Sequence, residues 1–464
     1  MKTINFAKYL MLGAAAMLLS SCHIYQKYDL ARESEGSTIS SDYMKAVAAQ
    51  PDSASLPYLG WEKVFTDPLL QGYIRTALAN NSDLENARLN VDIARAQLKG
   101  AKLSYFPSVA LNPNGGAASY GGSHMNWTYT IPAAVTWEID VFAKILNRKR
   151  GAQVGVDQAR DYLQAAQSQI VCGVASTYYA IVLLNQQLEL TKRTADIWKD
   201  QVATMELMKQ AGRTNEAAVV QSRAQYYSIL ATIPDLEQQL ATTHNALSLL
   251  LKKYPGDRWQ VTSNLDFSIP TELGSGVPMT YLATRPDVRA AERALAVAYY
   301  STNSARAAFY PTLAISPTGG LTNSVGGLVV NPAQWFIQLA GQLTAPLFSR
   351  GQNIANLEVA KANQKIALNK FETSVLGASR DVADALMQYH KNAEKREQVE
   401  LQIDQLEKSV VYTQELFMYN QNTSYLEVLT ARSGLLNAQL ASLACWHNKV
   451  AALISLYQAV GGGR

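Results

Sequence analysis

Phe106–Gly116 reads FPSVALNPNGG, and Tyr310–Gly320 reads YPTLAISPTGG. Aromatic, proline, second proline and glycine pair return in the same order 204 residues further on. At that offset Asp83 also matches Asp287, Ala87 matches Ala291 and Ala94 matches Ala298. The chain is therefore two copies of one plan, and each copy must build the same supersecondary unit.

Around each quoted stretch the charges vanish. From Leu103 to Trp137 and from Ala307 to Ser349 there is no Asp, Glu, Lys or Arg. Gly, Pro, Asn and Ser interrupt both stretches, which excludes a membrane helix. Period two fits instead. Val109 and Leu111 alternate with Ser108, Ala110 and Asn112, and Leu313 and Ile315 alternate with Thr312, Ala314 and Ser316. On the return legs Trp127, Tyr129 and Ile131 alternate with Thr128 and Thr130, and Trp335, Ile337 and Leu339 with Gln338, Ala340 and Gln342. An apolar face backed by a small, polar, uncharged one predicts transmembrane β-hairpins, lipid outside and water inside. A soluble sandwich would carry charges on its wet face.

Two hairpins supply only four strands, which cannot close, and open edges in lipid leave backbone groups unpaired. Two chains would give eight strands and a filled interior; three give about twelve, wide enough for a lumen. The polar inner face predicts the homotrimer.

Beyond each hairpin pair the pattern becomes helical. There is no proline between Ala143 and Ile233, nor between Leu347 and Arg464. Val156, Leu163, Ile170, Val174, Tyr178 and Ile181, then Val399, Ile403, Leu406 and Val410, follow near-heptad spacing. A helix from Lys144 to Gln210 runs on the order of 100 Å at about 1.5 Å per residue. The rods then turn: Gln210–Arg223 aligns with Tyr419–Arg432, matching Thr214 to Thr423, Val219 to Val428 and Arg223 to Arg432. Pro234 predicts a kink or break in the first return helix. Asp83 and Asp287 are the expected N-caps of the helices that open each copy.

The organisation expected is a signal peptide over 1–21, a lipid-anchored arm over 22–60, a first repeat over 61–252, a linker over 253–280 and a second repeat over 281–464. The hairpins fall at about 104–142 and 308–348, and the helix turns near 212 and 421. Lys2 and Lys8 precede an apolar run ending in LSSC, Leu19–Cys22. This resembles the lipobox of bacterial lipoproteins, with acylation at Cys22, and His23 in place of Asp favours the outer membrane. Cys172 and Cys445 lie in helical patterns, where buried free thiols are favoured over a disulfide.

Of the chain's residues, 41 are basic and 37 acidic, for a net charge of +4 and 17% charged. No basic run suggests nucleic acid. No nucleotide, metalloprotease or serine-hydrolase motif appears, and His23, His124, His244, His390 and His447 are too scattered for a local metal site. No enzyme, cofactor or metal is expected.

RPDVRAAERAL from Arg285, WEIDVF from Trp137 and the run WEKVFTDPLLQGYIRTALANNSDLENA from Trp61 resemble the TolC-like outer-membrane efflux proteins, specifically the lipoprotein branch serving tripartite pumps. The resemblance covers nearly the whole mature chain. It implies a mostly α, α+β membrane fold, in which three chains form a twelve-stranded barrel continued by a periplasmic α-helical barrel. It also implies a passive exit duct for drugs or metal ions, partnered by a periplasmic adaptor (membrane fusion) protein and an inner-membrane RND-type transporter. A duct for secreted proteins and a pore-free coiled-coil lipoprotein are the rival readings.

Three residue groups then become candidate sites. Gly212, Arg213 and Thr214 in one turn, with Asn422 and Thr423 in the other, are short or hydrogen-bonding residues suited to adaptor docking. Thr423 and Glu427 are the periplasmic gate candidates, and three Glu427 carboxylates in a ring would favour cations. Arg148, Lys149 and Arg150 would sit at the membrane rim beside lipid phosphates.

Overall fold

A computed structural model describes residues 24–48, 60–119, 121, 124–263, 265, 267, 279–325, 328–346, 348, 350–419 and 424–463. In chain order come α1 (Leu30–Glu33), α2 (Thr38–Ala48), α3 (Trp61–Val64), α4 (Pro68–Asn80) and α5 (Ser82–Leu103). Strands β1 (Ser108–Leu111), β2 (Asn114–Ala118) and β3 (Asn126–Ile139) lead into the long helix α6 (Lys144–Gln210), answered by α7 (Glu216–Leu250). The second copy repeats this with α8 (Pro286–Ala307), β4 (Thr312–Val325), β5 (Leu328–Thr344), α9 (Gln352–Tyr419) and α10 (Tyr425–Ala459). Before α8, Met279–Thr284 forms a turn of 3₁₀ helix.

The strands form one antiparallel sheet in the order β1–β3–β4–β5, with β2 also paired to β3. Both repeats thus contribute to a single sheet, joined where β3 runs against β4. The outgoing leg of the first hairpin is split at Asn112–Pro113 because proline donates no hydrogen bond. Even there Asn112 N reaches Pro132 O at 3.1 Å, so β1 and β2 remain one leg and the expected four-leg count holds.

The chain divides into two compact units, each gathered from both repeats. One unit takes the described residues up to Ser41 with Leu89–Asp161 and Arg289–Thr373, and so contains the whole sheet. Its arm is held by Asn147, whose Nδ2 donates to Ile24 O at 2.9 Å. Ile24 packs with Ala143 and Ala307 in a small buried cluster. Arg289 Nη2 lies 2.9 Å from Asp161 Oδ1 on α6, with Arg293 Nε at 3.7 Å from Asp161 Oδ2.

The other unit takes Asp42–Arg88, Tyr162–Val288 and the described part of Ser374–Arg464. Its centre is aromatic: Phe65 meets Tyr457 edge-on at 5.8 Å, and Tyr178 meets Tyr179 at 5.5 Å. Buried Tyr178 donates from its hydroxyl to Asp67 Oδ2 (2.7 Å) and accepts from Thr262 N (2.8 Å). Burial, then the Asp67 carboxylate, pushes its phenol well above the usual range. The RPD motif acts here: Arg285 Nη1 donates to Ala459 O at 3.1 Å while its Nη2 pairs with Asp287 and Asp381. The guanidinium therefore closes the carboxyl end of α10, where a cation opposes the helix dipole. Cys172 and Cys445 are buried and free, and burial pushes the Cys172 thiol up to about 12.

Among the described residues one helix, α6, is long and apolar enough to cross a membrane, but its apolar window is 61% buried. Ile170, Val171, Val174, Tyr178 and Ile181 spend that apolarity on internal packing.

Two local expectations are corrected. Asp83 and Asp287 lie inside their helices: Asn81 Oδ1 takes the N–H of Asp83 (2.8 Å) and Leu84 (3.3 Å), and Pro286 already occupies the first helical position. Of the kink or break expected at Pro234, the break does not occur, since helix α7 runs on through it. An interior proline costs about 3 kcal/mol. On the flank before it, the buried cluster of Ala195, Trp198 and Ile229, joined by Leu230 and Ile233, offsets that cost.

Candidate functional site: the two-faced sheet and the helix turns

Register assigns each sheet residue to a face, because cross-strand partners share one. Leu313 pairs with Leu343, Ile315 with Gly341, Pro317 with Leu339, Gly319 with Ile337 and Leu321 with Trp335. Across the repeat boundary Ile131 pairs with Leu321, Trp137 with Ile315 and Ile139 with Leu313. Val109 opposite Val135 and Ala117 opposite Trp127 extend the same face to the other edge. All alternating apolar residues of both repeats therefore lie on one side. Trp335, Ile337 and Leu339 are 76%, 77% and 75% exposed there. So broad an apolar surface on the outside of a chain requires an apolar medium or partner.

The opposite face carries Thr312, Ala314, Ser316, Thr318 and Thr322 from β4 and Gln334, Gln338 and Gln342 from β5. Its one charge is Glu138 at the foot of β3, 2.9 Å from Lys144 Nζ. Trp127 and Trp137 mark two levels of the apolar face. Ten residues at about 3.3 Å, inclined at roughly 40°, separate them by about 25 Å, the height of a membrane barrel's apolar band.

This parity yields a direct test. Leu339→Arg places a cation on the apolar face between these levels, at a cost of about 2–4 kcal/mol, whereas Gln338→Arg faces the polar side. The fraction of detergent-resistant oligomer should fall sharply for the first and stay near wild type for the second. Equal loss in both would place the faces wrongly.

Two wall residues carry more than periodicity disclosed. The pairing of β4 with β3 ends at Thr130–Thr322, and beyond it buried Asn323, where β4 also shifts register against β5, carries the contact to β3 on through its side chain. Its Oδ1 accepts from Tyr129 N (2.6 Å) and its Nδ2 donates to Trp127 O (2.9 Å). One amide side chain thus imitates a missing peptide group. Gly320 pairs with Pro132 on one side and Phe336 on the other. A Cβ on Gly320 would stand 2.8 Å from Pro132 Cα and closer still to the Ile131 carbonyl oxygen. Gly320 is in place because two backbones meet there.

The WEIDVF motif builds the junction between sheet and helix. Trp137 Nε1 donates to Tyr105 O at 2.9 Å, and Phe142 stacks on Tyr310 at 4.8 Å. Asp140 takes the first free N–H groups of α6 from Ile145 (3.0 Å) and Leu146 (2.7 Å). The three basic residues that follow diverge. Arg150 Nη1 donates to Tyr25 O at 2.8 Å, and Lys149 lies over the Tyr105 ring at 5.6 Å. Arg148 is exposed.

At the turns, Gly212 has φ +69°, a left-handed angle that ends α6. Arg213 points across: its Nη2 donates to Met418 O at 2.9 Å, the carboxyl end of α9. Thr214 is half-buried. Below them Met205, Val219, Tyr425 and Val428 form a buried cluster, and Ser222 Oγ bonds Tyr425 OH at 2.7 Å. The first turn and the described ends of α9 and α10 are therefore tied together. Glu427 is exposed in the first turn of α10, capped by Ser424. Asn422, Thr423 and Cys22 lie outside the described residues. The Arg213 contact, the Asn323 bridge and the Asp140 cap were not read from the sequence. WEIDVF itself was the one signal that singled out Asp140.

The family profile described as outer membrane efflux protein matches residues 73–251 and 277–462. The Cation efflux system protein CusC of Escherichia coli K12 is 28% identical over 92% of this chain and 96% of its own length. The Probable outer membrane lipoprotein SilC of Salmonella typhimurium is 28% identical over 87% of this chain and 88% of its own. A crystal structure of CusC superposes with a TM-score of 0.82 at 26% identity, covering 87% of this chain and 94% of that one. The open-state MtrE channel of Neisseria gonorrhoeae gives 0.80 at 25%, covering 89% and 94%. The chain belongs to the outer membrane efflux protein family, and its work is transport at the outer membrane rather than catalysis.

Proposed function

We propose that three copies of this efflux protein close their sheets into a twelve-stranded barrel and serve as the passive exit duct of a tripartite pump. The observation that carries the reading is the two-faced sheet with both edges open. Among the described residues β1 and β2 pair only with β3, and β5 only with β4. In lipid each unpaired edge group costs several kcal/mol, so edges must meet those of further copies. The polar face, uncharged above Glu138 at its foot, then lines water, and small molecules such as drugs or metal ions pass without an energy source in the duct itself. The name of CusC, a cation efflux protein, makes metal cations the first cargo to test.

A periplasmic adaptor docks, on this reading, at the turns holding Gly212, Arg213, Thr214, Asn422 and Thr423. An inner-membrane RND-type transporter supplies the energy, and Thr423 with Glu427 rings the mouth. Lipid on Cys22 fits the latched arm: Ile24 is fixed by Asn147, and two residues span at most about 7 Å. Acyl chains would thus enter the membrane at the foot of the sheet, beside exposed Arg148 as a phosphate contact.

The test combines mass and conductance. Purified protein in mild detergent should weigh as three chains and form steady pores in planar bilayers. A folded, conducting monomer, or trimers that never conduct, would overturn the reading.

A further inference from the structure

The two helix hairpins repeat at an offset of 209, so that Val219 answers Val428 and Arg223 answers Arg432. Carried one helix back, the same offset sets Glu206-Leu207 on Glu415-Leu416. In the first hairpin the arginine finds its carboxylate: Arg223 Nε donates to Glu206 Oε1 at 3.2 Å, both side chains well exposed. In the second hairpin the equivalent pair is not made. Arg432 Nη2 donates instead to Gln414 Oε1 at 2.6 Å, one residue before the matching glutamate. Its Nε is buried with no partner, and burial holds its guanidinium below the usual arginine range. Among the described residues no carboxylate pairs with it. Glu415, meanwhile, is exposed.

A partly buried cation on a neutral partner is costly, and a carboxylate one residue away is the obvious relief. One residue on a helix is a rotation of about 100° and a rise of about 1.5 Å. The second hairpin therefore has two discrete registers available, and its repeat mate already displays the charged one.

We propose that Arg432 is a two-position arginine that exchanges Gln414 for Glu415 as α9 and α10 shift against each other, setting the state of the periplasmic mouth. The proposal rests on the duct reading, because only in a closed ring does hairpin register alter a pore. Nothing is consumed in the exchange; one hydrogen bond is traded for an ion pair.

The test uses single-channel recording of the assembled full-length protein, because its signs do not depend on which register conducts. Gln414→Glu strengthens the present contact and Glu415→Gln removes the alternative. Both should move open probability in the same direction, by roughly tenfold for a coupling of ordinary size. Gln414→Leu weakens the present contact and should move it the opposite way. If the first two move it in opposite directions, or all three match wild type, the proposal fails. Trimer mass of each variant shows that folding is intact. A wild type that forms no pore would fail the duct reading instead, which keeps the two outcomes apart.

Discussion

Gly320→Val is expected to yield almost no assembled oligomer while the chain is still made and exported. The valine Cβ would stand within 2.8 Å of Pro132 Cα and closer to the Ile131 carbonyl, both backbone. A flexible side chain could yield; a paired strand cannot. Either β3 and β4 separate, opening ladder groups to lipid, or the clash stays, and the loss is about 3–5 kcal/mol. Gly341→Val on β5 is the control, since a Cβ there meets nothing within 4 Å. Heat-resistant oligomer on a detergent gel reads both. Normal assembly of Gly320→Val would show that the strands approach less closely than described.

The second large effect is expected at Asn323. Asn323→Leu keeps the size but strands the N–H of Tyr129 and the C=O of Trp127. A buried backbone group left without a partner costs about 1–3 kcal/mol, so the pair should lower stability by about 2–6 kcal/mol. Ser316→Ala, on the polar face of the same strand, should change it by less than about 0.5 kcal/mol. Denaturant midpoints of the oligomer in detergent compare them. If Asn323→Leu proves as mild as Ser316→Ala, the side chain does not stand in for the ladder.

Much of the wall was legible because its physics is local. The faces of Val109, Trp127, Leu313 and Trp335 follow from alternation, and the charge-free intervals bound the hairpins to within a few residues. The long helices follow from the missing prolines and the near-heptad spacing. Errors arose where short-range rules were applied singly. Asp83 looked like a cap by residue type, but Asn81, two positions earlier, held the two free N–H groups. Pro234 suggested a kink or break by propensity, but the buried cluster reaching to Ile233 keeps the helix continuous, without the break.

By itself the sequence determined that this protein is a duplicated, two-faced wall on long helices, since alternation, charge and repeat length need no partner to be read. Only the tertiary structure decided which residues of one repeat meet those of the other. Gly320 between Pro132 and Phe336, the Asn323 bridge, Arg213 on the Met418 carbonyl, and Arg432 on Gln414 rather than Glu415 are all such meetings. Each joins positions far apart in the chain, or turns on a register shift of one residue. Periodicity carries no information about such contacts, because they depend on how two backbones are placed and not on the order of residues along either.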